Sequence, residues 1–146
     1  MYAILKEKAS AGLDIKDVPI PIPKDDEVLI KVKAASICGT DVHIFDWHES
    51  VRGWMNPPVI IGHEFTGEVL EKGKRVKRLR PGDLVSIESR IACGVCYQCN
   101  TGRKHLCRNL KIIGVHTDGG FAQYAKVPES STWKIDNSIP LETACM

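Results

Sequence analysis

Four cysteines fall within fifteen residues, as Cys93-x2-Cys96-x2-Cys99-x7-Cys107. This cluster constrains the chain more than any other feature. Zinc takes four soft ligands in a tetrahedron, with sulfur at about 2.3 Å. Spacing this tight lets one loop wind around one ion. Gly94 and Gly102 supply permissive backbone for that winding. Two other readings of the same thiols differ in chemistry. A bacterial iron–sulfur run of this kind continues x3-Cys-Pro, whereas here the last gap is x7 and Arg108 stands after it. Disulfides need an oxidising compartment. Four cysteine ligands leave no open coordination position, so a zinc ion here is structural.

The compartment is read from the N-terminus. The chain begins Met1-Tyr2-Ala3-Ile4-Leu5-Lys6, and charge arrives before any long apolar region. No stretch approaches the roughly 18 apolar residues of a membrane span. The expected location is therefore cytoplasmic, with no membrane partner. The six cysteines then read as metal ligands or catalytic groups. The formal charge of +2 is too small to argue for nucleic acid. The 146 residues suffice for one domain with a core, and 43% are hydrophobic.

Apolar residues alternate with polar ones at 27–35: Val28, Ile30, Val32 and Ala34 share one face, with Lys31 and Lys33 on the other. That is the period of a half-buried strand. Further strands are expected at 2–8, 13–18, 65–70, 84–87 and 121–127. Turn residues separate them, notably Arg80-Pro81-Gly82-Asp83 and Asp118-Gly119-Gly120. The basic run from Lys72 to Arg80 reads as a solvated strand end and turn. Helix is expected to be short: 40–47 with Thr40 as N-cap, a turn at 97–102, and a helix start at 140–144, with Cys145 as a buried helical thiol. The pattern predicts a mainly β barrel or sandwich.

A second group has the composition of a catalytic site. Cys38-Gly39-Thr40-Asp41-Val42-His43 follows the 27–35 strand, and Gly62-His63-Glu64 leads into the next. A thiolate and an imidazole supply two of the three protein ligands of a catalytic zinc. Taken singly, Cys38 reads as well as a buried apolar residue, and His63 as a satisfied histidine. Gly67 and Gly73 suit a close backbone approach.

These motifs together resemble the zinc-containing medium-chain alcohol dehydrogenase superfamily. The carriers are Gly62-His63-Glu64-Phe65-Thr66-Gly67 with Gly73 and Val76, Cys38-Gly39-Thr40-Asp41-x-His43, the four-cysteine spacing, and Gly119-Gly120-Phe121-Ala122-x-Tyr124. Within the superfamily, the run from Ala35 to Ile44, Trp47, and Gly114-Val115 with Asp118 to Ala122 resemble the branch that oxidises L-threonine. Polyol and secondary-alcohol branches share most of these motifs.

The resemblance implies a GroES-like distorted β-barrel over 1–146, with a structural-zinc loop at 90–110. It implies that Cys38 and His63 hold a catalytic zinc, with Glu64 as ligand or near neighbour. It implies a proton relay through Thr40 and His43. It also implies NAD, an alcohol substrate and a homo-oligomeric parent. No Gly-x-Gly-x-x-Gly follows a strand in this sequence. The nucleotide domain and the remaining catalytic-zinc ligand are therefore expected beyond Met146, and the isolated chain is expected to be inactive. A stand-alone zinc module is the other class of reading. Elemental analysis should find a tightly held zinc that is lost on Cys93→Ala or Cys107→Ala; iron with inorganic sulfide would contradict this.

Overall fold

The computed structural model describes residues 1–145. The elements run β1 (Tyr2–Lys6), β2 (Asp14–Asp17), β3 (Glu27–Ala35), α1 (Gly39–Asp46), β4 (Val59–Ile60), β5 (Phe65–Lys72), β6 (Leu84–Ile87), β7 (Arg90–Ile91), α2 (Tyr97–Asn100), β8 (Lys111–Ile112), β9 (Tyr124–Pro128), β10 (Thr132–Lys134) and α3 (Leu141–Ala144). Single 3-10 turns occupy Lys104–Leu106 and Glu129–Ser131. No helix among the described residues is long and apolar enough to cross a membrane.

The main sheet has strand order β10-β6-β5-β3-β9 and is antiparallel throughout. Its long central strand β3 behaves as its alternation predicts: Val28 and Ile30 are buried, while Lys31 and Lys33 face solvent. Val28, Ile30, Phe65, Val69, Val76, Leu79, Val85, Ile113, Ala125 and Val127 close the core beneath it. Burial of Val76 and Leu79 shows that the basic run after β5 is anchored by its apolar members. A smaller sheet, β2-β1-β4, joins the main one through an Ala3–Ala122 bridge and the Ile4 N–H donated to Phe121 O. Two sheets linked at an edge, each over its own apolar cluster, give the expected distorted barrel. The strands β7 and β8 form a separate pair at the base of the cysteine loop.

Glycine is required where β5 crosses β3. A Cβ on Gly67 would stand 2.3 Å from Lys31 O and 2.6 Å from an Ile30 methyl. No side chain fits there without moving the ladder.

A second core of Ile44, Val51, Met55, Val59, Ile61 and Val115 receives α1. The helix is held at both ends. At its start, the Cys38 N–H donates to Asp41 Oδ2 at 2.9 Å. At its end, Trp47 adopts a left-handed conformation (φ 52°), and His48 N–H returns to His43 O at 2.9 Å. Lys6 is fully buried beside that end. Its Nζ donates to Ser10 O, Gly12 O and Phe45 O at 2.6, 3.0 and 3.1 Å, and it lies 5.3 Å from the Trp47 ring centre. A buried ammonium is tolerated because its donors are satisfied.

The boundaries differ from the sequence reading in informative ways. Cys38, not Thr40, is the N-cap of α1. The Asp41 carboxylate three residues on supplies the reciprocal bond, so Thr40 is displaced into the first turn. The 121–127 strand begins only at Tyr124, because Phe121 and Ala122 are used to join the sheets. The helix at the chain end matches expectation, and Cys145 just after it is buried. Gly67→Ala should destabilise the fold by on the order of 1–3 kcal/mol, read as a lower urea midpoint with an unchanged slope.

Candidate metal centres

The cysteine loop is built from turns. Between β7 and β8 it runs through α2 and the Lys104–Leu106 turn, with Cys96 as N-cap of α2 and Cys107 closing the second turn. This winding brings all four thiols together. Sulfur separations are 4.0 Å for Cys93–Cys99, 3.5 Å for Cys96–Cys99 and 3.9 Å for Cys96–Cys107. A tetrahedron with bonds of about 2.3 Å has edges of about 3.8 Å. These three edges bracket that value, and all four sulfurs lie within 4.8 Å of one another, so the donor set suits zinc.

The thiols are not equivalent. Backbone N–H groups of Cys99 and Arg108 hold the Cys96 thiol down at about 6. Backbone N–H groups of Val95 and Cys96 also lower Cys93. Burial pushes Cys99 up to about 12, aided by its contact with Cys96. Metal binding to this loop therefore has to displace a proton held by Cys99, and affinity must climb with pH.

The second cluster joins distant segments. Cys38, His63 and Glu64 each present a ligand atom, all lying within 4.8 Å of one another. Cys38 caps α1, whereas His63 and Glu64 lie just before β5. Gly62 allows that approach. Its φ is +91°, and a Cβ there would overlap the Phe121 ring at 2.3 Å. The imidazole of His63 is buried, and its Nδ1 is 3.8 Å from Asp41 Oδ1. Neither atom has a hydrogen-bond partner among the described residues. Burial raises the Asp41 carboxyl, opposed by the Cys38 N–H and by His63. A thiol, an imidazole and a carboxylate with an orphaned buried pair behind them are a donor set suited to zinc.

Of the remaining expected residues, Thr40 lies beside this cluster. Thr40 Oγ1 is 3.7 Å from Cys38 Sγ. His43 is one helical turn further along α1 and exposed, with its ring 4.9 Å from that of His48. The sequence reading gave Asp41 no role in the site. Its signal was its place in the Cys38-to-His43 run, one residue from Thr40. Ser36, whose hydroxyl donates to Glu64 Oε2 at 2.9 Å, lay in the Ala35-to-Ile44 run but was likewise given no role. A cavity of about 290 Å³ lined by Met1, Val18, Pro58 and Ile60 contains no member of either cluster.

With the cluster geometry established, similarity to known proteins is informative. The family described as alcohol dehydrogenase GroES-like domain matches residues 24–137. The chain is 54% identical over 142 residues to an L-threonine 3-dehydrogenase of Caldanaerobacter subterraneus subsp. tengcongensis, covering 97% of this chain and 41% of that protein. It is 50% identical over 146 residues to the L-threonine 3-dehydrogenase of Pyrococcus abyssi, covering 100% of this chain and 42% of that one. The chain thus spans about two fifths of the length of these relatives. Among solved structures, an alcohol dehydrogenase of Escherichia coli CFT073 complexed with NADH superposes with a TM-score of 0.90 at 40% identity, covering 100% of this chain and 41% of that chain. A cobalt- and zinc-bound alcohol dehydrogenase of Pyrobaculum aerophilum gives 0.86 at 33% identity, covering 99% and 44%.

In metal-free protein near neutral pH, iodoacetamide should label Cys96 ahead of Cys99, and added zinc should protect both, as read by peptide mass spectrometry. Preferential labelling of Cys99 would contradict the assigned asymmetry. The chain belongs to the alcohol dehydrogenase GroES-like domain family, and the relatives it resembles include L-threonine 3-dehydrogenases.

Proposed function

We propose that residues 1–146 form the zinc-binding catalytic domain of a nicotinamide-dependent dehydrogenase that oxidises a secondary alcohol, with L-threonine as substrate and 2-amino-3-oxobutanoate as product. The observation that carries this reading is the convergence of Cys38, His63 and Glu64 within 4.8 Å, beside a separate loop of four closed thiols. One donor set is saturated and the other is not, which is the distinction between structural and catalytic zinc. The names of the relatives support threonine, and nicotinamide is supported by the NADH-bound neighbour.

Cys38 and His63, with Glu64 beside them, would hold a zinc ion, which when bound would supply Lewis acidity toward a substrate hydroxyl. The protein's own groups do the rest. Asp41 Oδ1 lies 3.8 Å from Nδ1 of His63, close enough that its carboxylate would favour a positive charge at the ring without bonding it directly. Thr40 Oγ1, next to Cys38 Sγ, accepts the hydroxyl proton and passes on its own. His43, one turn away and open to solvent, takes that proton outward. A nicotinamide, when bound, would take the hydride from the carbinol carbon, so that one proton and one hydride would leave per turnover. Turnover is assigned to the natural polypeptide that carries this chain, which spans about two fifths of the length of its relatives.

In the natural polypeptide that carries this chain, Cys38→Ala and His63→Ala should each abolish threonine-dependent NADH formation while leaving circular dichroism and the cysteine-loop zinc intact. Retained turnover in either variant would remove these residues from the site. Faster turnover of a polyol than of threonine would redirect the substrate assignment alone.

A further inference from the structure

We infer that Ser36 is a positioning residue for the second metal cluster, its hydroxyl setting the Glu64 carboxylate relative to Cys38 and His63. The inference rests on the reading of that cluster as a zinc site and deepens it. Ser36 follows the last residue of β3 and stands two residues before Cys38. Its backbone N–H donates to Glu64 O at 3.0 Å, extending the β3–β5 ladder by one rung. Its Oγ donates to Glu64 Oε2 at 2.9 Å. One residue therefore grips both the main chain and the side chain of Glu64. Among the described residues, that hydroxyl bond is the one the Glu64 carboxylate makes. A glutamate side chain is otherwise rich in rotamers, so this bond selects among them and leaves the second carboxylate oxygen free.

The same hydroxyl reaches Cys145 O at 3.2 Å. It has one proton and two acceptors. A carboxylate is the stronger acceptor, so Glu64 takes the proton when its oxygen is available. Two neighbours make the contrast clear. Thr66 Oγ1 and Ser86 Oγ hold Leu141 O and Ala144 O at 3.2 and 2.7 Å. They dock α3 as Ser36 does, but neither touches Glu64.

The test uses zinc and cobalt in the intact natural polypeptide. The ion at this cluster is identified by its loss in Cys38→Ala, its affinity is measured by chelator competition, and its geometry by cobalt absorption. Ser36→Ala should weaken the ion by about ten- to a hundredfold and shift the cobalt bands. Ser36→Thr, which keeps the hydroxyl, should restore both. In a Glu64→Ala background, Ser36→Ala should cost nothing further, and Ser86→Ala should leave affinity unchanged. Wild-type affinity in Ser36→Ala, or an equal loss with Glu64 already removed, would overturn the role. Absence of any Cys38-dependent ion in the unmodified protein would instead overturn the reading of the cluster itself.

Discussion

The pairing of Ala35 with Phe65 at one end of the β3–β5 ladder is the constraint from which the second cluster follows. In an antiparallel pair, the exit of one strand and the start of the other lie side by side. Cys38 comes three residues after Ala35, and His63 two residues before Phe65. Neighbouring strands are only about 4.8 Å apart, so these short extensions have little choice but to meet. Register is fixed by what the sheet buries. Val28 and Ile30 on β3 and Val69 on β5 are wholly inaccessible, and a slip of one residue would turn that set toward water. Metal-ligand geometry is thus a consequence of apolar burial some distance away.

Two polar clamps then hold the helix that carries Cys38 at its cap. Asp41 secures the first turn by accepting from Cys38 N–H. The Lys6 ammonium secures the last by donating to Phe45 O and lying against the Trp47 ring. Each is an ionisable residue in a place where charge is costly; the Lys6 ammonium is tolerated because its partners are specific, whereas Asp41 keeps one oxygen unpartnered. The left-handed backbone at Trp47, unusual for a bulky side chain, is kept by the same arrangement.

Much of this was legible in the sequence because it rests on local pattern. Alternation at Val28 to Lys33 is a property of neighbouring residues, and so is the cysteine spacing. Both were read correctly as strand and as converging thiols. The cap of α1 was misjudged because Thr40 has the better intrinsic preference for that position, whereas the outcome was decided by the carboxylate of Asp41 reaching back. The late start of β9 was hidden because Phe121 and Ala122 spend their backbone groups on β1, a pairing across more than a hundred residues. Ser36 and Lys6 were silent for the same reason. A serine after a strand and a lysine inside one are ordinary until the chain returns to them.

The contrast between the clusters also bears on how such a molecule assembles. The cysteine loop closes over fifteen residues, and its entropic penalty is paid locally. It can therefore become ordered around an ion while the rest of the chain is still searching for its topology. The Cys38–His63 pair has no such independence: its ligands are strangers until the central ladder has zipped to its last rung. Under the two-site reading, an ion arriving early would find only the cysteine loop competent, and selectivity between the two positions would follow the order in which they form.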